Sequence, residues 1–196
     1  TELAMGAQAL TPLDLPKLLT GGDEETVSKV ELTANGNIRL VGSEPEVPNT
    51  PGTTLASGEI DASGEVGGKV GIFGKKVGLI GADIDVSGTN GGGNVLIGGD
   101  YKGEGDVPHA LRTLIDGNSV INADALVDGN GGQVIVWAED ATGFFGKITT
   151  RGGSNSGDGG FIEVSGEEQL AFQGKVDLSA AEGVNGSLLL DPAVIE

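Results

Sequence analysis

Gly131-Gly132-Gln133-Val134-Ile135-Val136 is the stretch whose reading decides the fold. Two glycines lead into one variable residue and then into alternating apolar positions. The unit recurs as Gly67-Gly68-Lys69-Val70-Gly71-Ile72, Gly92-Gly93-Asn94-Val95-Leu96-Ile97, Gly159-Gly160-Phe161-Ile162-Glu163-Val164 and, in looser form, Asn185-Gly186-Ser187-Leu188-Leu189-Leu190. Successive copies start 25, 39, 28 and 26 residues apart. A fixed period of this size is the mark of a repeat architecture.

A second unit precedes each copy: Ile60-Asp61-Ala62, Ile84-Asp85-Val86, Ile121-Asn122-Ala123, Ile148-Thr149-Thr150 and Val176-Asp177-Leu178. A third, looser apolar segment follows most of them, at Val77-Gly78-Leu79, Thr142 to Phe145 and Leu170-Ala171-Phe172. Each repeat therefore predicts three short strands parted by glycine-rich turns, where glycine permits positive φ. Period-2 alternation buries only one face of a strand, and strands this short hold together only when stacked. Stacking collects Ile60, Ile84, Ile121, Ile148 and Val176 in one column and Val70, Val95, Val134, Ile162 and Leu188 in a second. Ile72, Ile97, Val136, Val164 and Leu190 form a third. β-branched residues suit such surfaces. The expected fold is all-β: a parallel β-helix, or solenoid, with three short strands per coil and coils about 4.8 Å apart. An antiparallel β-sandwich also has many short strands, but it calls for hairpin turns at regular spacing and does not preserve strand identity from repeat to repeat.

The flanks and one interior segment break the period. Residues 1–42 read as an N-terminal cap (Leu13, Leu15, Leu18 and Leu19) followed by a degenerate first coil at Val30-Glu31-Leu32 and Ile38-Arg39-Leu40. Solenoids need such caps over their open ends. Residues 43–56, with Pro45, Pro48 and Pro51, read as an excursion loop. The coils occupy 57–192, an insertion at 100–118 absorbs the one long spacing, and 193–196 form the C-terminal end. The insertion gathers Tyr101, His109 and Arg112. Together with Trp137 these are the candidate ligand-binding residues, since solenoid loops often carry binding. The plainer reading is a side loop packed on Tyr101, Val107 and Leu111.

Composition narrows the chemistry. The 196 residues include 29 acidic and 11 basic side chains, for a net charge of −18, and there is no cysteine. Cysteine catalysis, disulfides and Cys-type zinc sites are excluded. Nucleic acid is not an expected partner, because the basic residues do not cluster. No apolar run reaches the length of a membrane span. The acidity keeps a long β-rich object soluble and discourages lateral sheet pairing. Asp61 and Asp85 fall on consecutive coils, where two carboxylates repel and a calcium ion could relieve them. They are the candidate metal ligands, and no other cofactor is expected. Most of Asp83, Asp124, Glu139, Asp140, Glu163 and Asp177 read as solvated outward positions of strands and turns, and the sequence offers no buried microenvironment for paired acid–base work. No catalytic residue is assigned.

Several segments are familiar in order along the chain: Val95-Leu96-Ile97-Gly98-Gly99-Asp100-Tyr101-Lys102-Gly103, Asn122-Ala123-Asp124-Ala125-Leu126, Gly129 to Ala138, Gly159 to Gly166 and Leu188-Leu189-Leu190-Asp191-Pro192. Over residues 57 to 192 the chain resembles the filamentous-haemagglutinin-like family of bacterial two-partner-secretion exoproteins, of the large cyanobacterial type. The resemblance implies a right-handed β-helix, exported to the outer surface of a Gram-negative cell, that serves as a rigid stick or adhesin. The family's N-terminal secretion domain, with its Asn-Pro motifs, has no counterpart here, so the chain is similar to an internal or C-terminal section. The expected function is a non-catalytic structural or adhesive module. Its partners would be a glycan or cell-surface receptor and further copies stacked end to end into filaments. The competing expectation is a carbohydrate-binding or polysaccharide-degrading β-helix with its site at the insertion and Trp137.

Overall fold

The computed structural model describes three early strands and residues 52–195. The early strands are β1 (Lys29–Leu32), β2 (Ile38–Val41) and β3 (Glu46–Val47). Next come β4 (Thr53–Asp61), β5 (Lys69–Ile72), β6 (Lys76–Asp85), β7 (Asn94–Ile97), β8 (Arg112–Ile115) and β9 (Val120–Asn122). The remainder are β10 (Gln133–Ala138), β11 (Ala141–Phe144), β12 (Lys147–Thr149), β13 (Phe161–Gly166), β14 (Gln169–Phe172), β15 (Lys175–Asp177), β16 (Ser187–Leu189) and β17 (Val194–Ile195). Among the described residues the only helical element is a 3₁₀ turn at Tyr101–Gly103.

The strands fall into three ladders whose neighbours run parallel. Ladder A joins β2, the second half of β4, the second half of β6, β9, β12 and β15. Ladder B joins β3, β5, β7, β10, β13 and β16. Ladder C joins the first half of β4, the first half of β6, β8, β11, β14 and β17. From Thr53 onward the chain visits C, A and B in that order again and again. After the first half of β4, each visit pairs with the strand of the same ladder one repeat earlier.

The register carries the aliphatic columns. In ladder A, Ile60 pairs with Ile84, Ile84 with Ile121, Ile121 with Ile148 and Ile148 with Val176. In ladder B, Val70, Val95, Val134, Ile162 and Leu188 are successive partners. Ladder C adds Val77, Leu79, Ile115, Phe144 and Leu170, all buried in the same core cluster. Phe144 and Phe172 meet there with ring centroids 5.2 Å apart.

Three expectations change. The glycine pairs are not there for positive φ: no residue of Gly67-Gly68, Gly92-Gly93, Gly131-Gly132 or Gly159-Gly160 has it. They are there for close approach. A Cβ on Gly132 would overlap the carbonyl oxygen of Gly93, and one on Gly160 that of Gly132. Second, residues 43–56 are not simply a loop. Glu46–Val47 pairs with Gly71–Ile72, and Thr53–Ala56 pairs with Lys76–Leu79. Third, β1 does not stack as part of a coil but pairs antiparallel with β2. The leucines read as a cap (Leu13, Leu15, Leu18, Leu19) lie outside the described residues.

Corners between ladders are fixed by side chains. Asp124 is buried and takes Arg151 by both its backbone N–H, at 2.7 Å, and its guanidinium, at 2.9 and 2.7 Å. That bidentate pair ties one repeat to the next at the corner after ladder A.

Candidate functional site

The concave region of interest lies on the outer side of ladder B, where β10 and β13 run to six residues and β5 and β7 to four. The two extra residues carry Trp137 and its register partner Ser165. Above them sits the insertion. Its neck is closed by Gly98 N–H donating to Ile72 O at 2.9 Å and Ala110 N–H donating to Gly98 O at 2.7 Å. The true excursion is therefore shorter than 100–118. Arg112–Ile115 is β8, an ordinary rung of ladder C between β6 and β11.

The loop is built around the indole. Asp100 accepts the Tyr101 N–H at 2.7 Å and starts the 3₁₀ turn. Lys102 then takes a left-handed backbone (φ 56°, ψ 23°), a conformation uncommon outside glycine, aspartate and asparagine. Gly103 has φ +66°, and a side chain there would overlap the Trp137 ring. Gly99 lies against the other end of the same ring. His109 packs beside it at 4.8 Å between centroids, with Nδ1 4.0 Å from a Glu139 carboxylate oxygen. His109 Nε2 is buried with no hydrogen-bond partner. Tyr101, mostly outside the contact, touches Phe161 edge-on at 5.8 Å and carries the Lys102 ammonium 5.4 Å above its ring.

Beneath the turn lies Glu163, which is fully buried. Both its oxygens are 3.1 Å from the Lys102 backbone N–H. Burial raises its carboxyl above the ordinary glutamate value, and the Lys102 amide only partly offsets this. The reading of Glu163 as a solvated outward residue is corrected here. Its register neighbours are Ile135 and Leu189, and the next rung carries Leu96. An apolar residue at the same outward position in three other repeats is the signal that this strip is covered.

Together these groups line a cleft of about 530 Å³, bounded by Lys102, His109, Trp137, Glu139, Glu163 and Asp191 among others. The structure thus brings His109 and Trp137 together, with Tyr101 at the rim. It does not bring in Arg112, which projects from the outer face of ladder C with its Nε 3.9 Å from Asp140. Trp137 is only 5% exposed, so its face is a seat for the loop rather than a stacking platform open to a sugar. The loop's own packing differs from expectation as well: Tyr101 is exposed, Val107 and Leu111 are half-buried, and Ala110 is the residue it buries completely.

Asp61 and Asp85 are register partners, as their spacing predicts. Each uses Oδ1 to accept the N–H two residues on, from Ser63 and Ser87, both at 2.8 Å. Asn122 does the same to Asp124 at 3.1 Å and Asp177 to Ser179 at 3.0 Å. The column is a stack of Asx turns that rounds the corner from ladder A. Among the described residues no group of three or more His, Asp or Glu side chains is placed to hold a metal ion. No described helix is long and apolar enough to cross a membrane. Compared with known proteins, the chain matches no family model and no curated sequence.

Proposed function

We propose that the chain winds as a right-handed parallel β-helix, three strands to a coil, and serves as a rigid, non-catalytic module of a haemagglutinin-like exoprotein at the outer surface of a Gram-negative cell. The observation that carries this reading is the unbroken register: the same three ladders are entered in the same order at every repeat, with aliphatic columns inside. Such a body resists bending because each coil is hydrogen-bonded to the next along its whole length. The cleft fits a structural use. Its buried carboxylate clasps the insertion through a backbone amide, and its tryptophan lies under glycine backbone. A hydrolase or lyase needs carboxylates open to substrate. In this reading Asp61 and Asp85 cap turns, and calcium is not required.

Adhesion and end-to-end assembly follow from the same body. Around β16 and β17, Leu188, Val194 and Ile195 are 38%, 52% and 56% exposed, apolar surface of the kind that another copy covers. Negative-stain images taken at rising concentration are expected to show short rods that lengthen along their axis. A reducing-sugar assay on acidic polysaccharides is expected to stay at background. Sustained release of reducing ends overturns the non-catalytic reading, and single particles at every concentration overturn the stacking.

A further inference from the structure

A second groove, of about 520 Å³, crosses four successive repeats at the corner that leads into ladder B. One rim is the first residue of each strand: Asn94, Gln133, Phe161 and Ser187, each in register with the next. Alternation with the buried Val95, Val134 and Ile162 turns these side chains away from the core. Asn94, Gln133 and Ser187 make no side-chain hydrogen bond among the described residues. Phe161 is half-buried and Val184, which also lines the groove, is 73% exposed.

The opposite rim is built differently. Asn130, Asp158 and Asn185 line it, and each is locked through one oxygen. Asn130 Oδ1 accepts the Asp158 N–H at 2.9 Å, Asp158 Oδ1 accepts the Val184 N–H at 2.8 Å, and Asn185 Oδ1 accepts the Ala180 N–H at 3.1 Å. The second polar atom of each planar group, an amide nitrogen or a carboxylate oxygen, makes no hydrogen bond among the described residues. The rims thus hold donors and acceptors already fixed in place and still unspent, with an aromatic ring between them.

We propose that this groove binds an extended, uncharged polysaccharide lying along the stack of coils. Amide and hydroxyl side chains on both rims bond the sugar hydroxyls, and Phe161 with Val184 covers the apolar C–H face of a ring. Side chains held before the ligand arrives lose little freedom on binding. The volume lies in the usual range for a ligand site. The period suits a polymer: rungs stand about 4.8 Å apart, close to the advance of one sugar in an extended β-1,4-linked hexose chain, so successive sugars meet equivalent positions. Charge selects against acidic polymers. Asp158 is the only charged residue among those described in the lining, and the net charge of −18 repels a polyanion. One carboxylate is not the pair that glycoside hydrolysis uses, so the sugar is held and not cut. The inference stands on the groove and does not rest on the adhesive reading above.

Isothermal titration calorimetry of the whole chain tests it with three probes: a β-1,4-linked glucose hexamer, an α-1,6-linked glucose hexamer and polygalacturonate. The first is expected to bind with a Kd of about 1 mM or lower, and the other two about tenfold more weakly or worse. Asn94→Ala combined with Gln133→Ala removes two side chains that bond nothing in the fold. The melting temperature is expected to hold while affinity for the β-1,4 hexamer falls about tenfold. Asn94→Ala alone, at an exposed position, is expected to cost about threefold. No binding of the β-1,4 hexamer up to about 5 mM, equal binding of either other probe, or an affinity that both variants leave unchanged overturns the proposal. Rods that lengthen in negative stain while no probe binds keep the structural reading and overturn this one.

Discussion

Glu163 sits where a sequence reading by alternation alone puts solvent, and the reason is a loop that arrives from elsewhere in the chain. Strand periodicity says which side of the sheet a residue is on. It does not say whether that side is covered. Here the Lys102 turn closes over it, and the carboxyl loses water for the Lys102 backbone N–H and help from Ser165 that do not make up for its burial. Its folded-state pKa therefore stands above that of the unfolded chain. The sign follows from linkage: the neutral form is favoured in the fold, so this group's contribution to stability is full below the unfolded value and is lost as pH rises through the folded one. Glu163→Gln keeps an acceptor for the Lys102 amide and removes the titration. The variant is expected to melt above the native protein near pH 8, with the gap closing below about pH 4, where both side chains are neutral. A native protein that melts higher than the variant at both pH values contradicts the account of this carboxyl.

At the scale of the strand, the repeat unit makes ladder A from β4 onward and ladder B from β5 onward legible to the rung. The glycine pair announces four of the six strands of ladder B, and the Ile/Val-Asp/Asn pattern announces most of ladder A. Ladder C was half legible. Val77 to Leu79, Thr142 to Phe145 and Leu170 to Phe172 carry apolar residues, but Thr53–Ala56 and Arg112–Ile115 put threonine into the core positions Thr54 and Thr113. Each of these hydroxyls donates to a backbone carbonyl, Thr54 to Phe73 at 2.8 Å and Thr113 to Trp137 at 2.8 Å. A buried threonine satisfied in this way packs like valine and reads like a loop residue, so both strands were absorbed into segments called loop and insertion. The site was partly legible: Tyr101, His109 and Trp137 were singled out from the sequence, and Glu163 and the departure of Arg112 were not. The glycine pairs were recognised for the wrong reason, which leads to a test. Gly132→Ala places a methyl group against the Gly93 carbonyl at an ordinary φ. It is expected to destabilise by about 2–3 kcal/mol through overpacking, read from the urea midpoint. A shift within error of the native protein contradicts the close-packing account.

Over the whole molecule, stability comes from repetition: one small set of contacts is made again at each repeat, and together they build one continuous core. The acid-rich surface sets what such a body does with its neighbours. With a net charge of −18, copies of the chain repel one another at low salt. In this fold, residues far apart in sequence stand one above another at a constant small rise. Thr53 and Gln169 are four rungs apart in ladder C, through Lys76, Arg112 and Ala141. The chain has no cysteine, so spin labels at Thr53→Cys and Gln169→Cys report this pair alone. Pulsed electron–electron resonance at a dilution that holds the chain monomeric is expected to give one narrow distance near 19 Å, at about 4.8 Å per rung. A broad distribution, or a distance beyond about 30 Å, contradicts the stacked register.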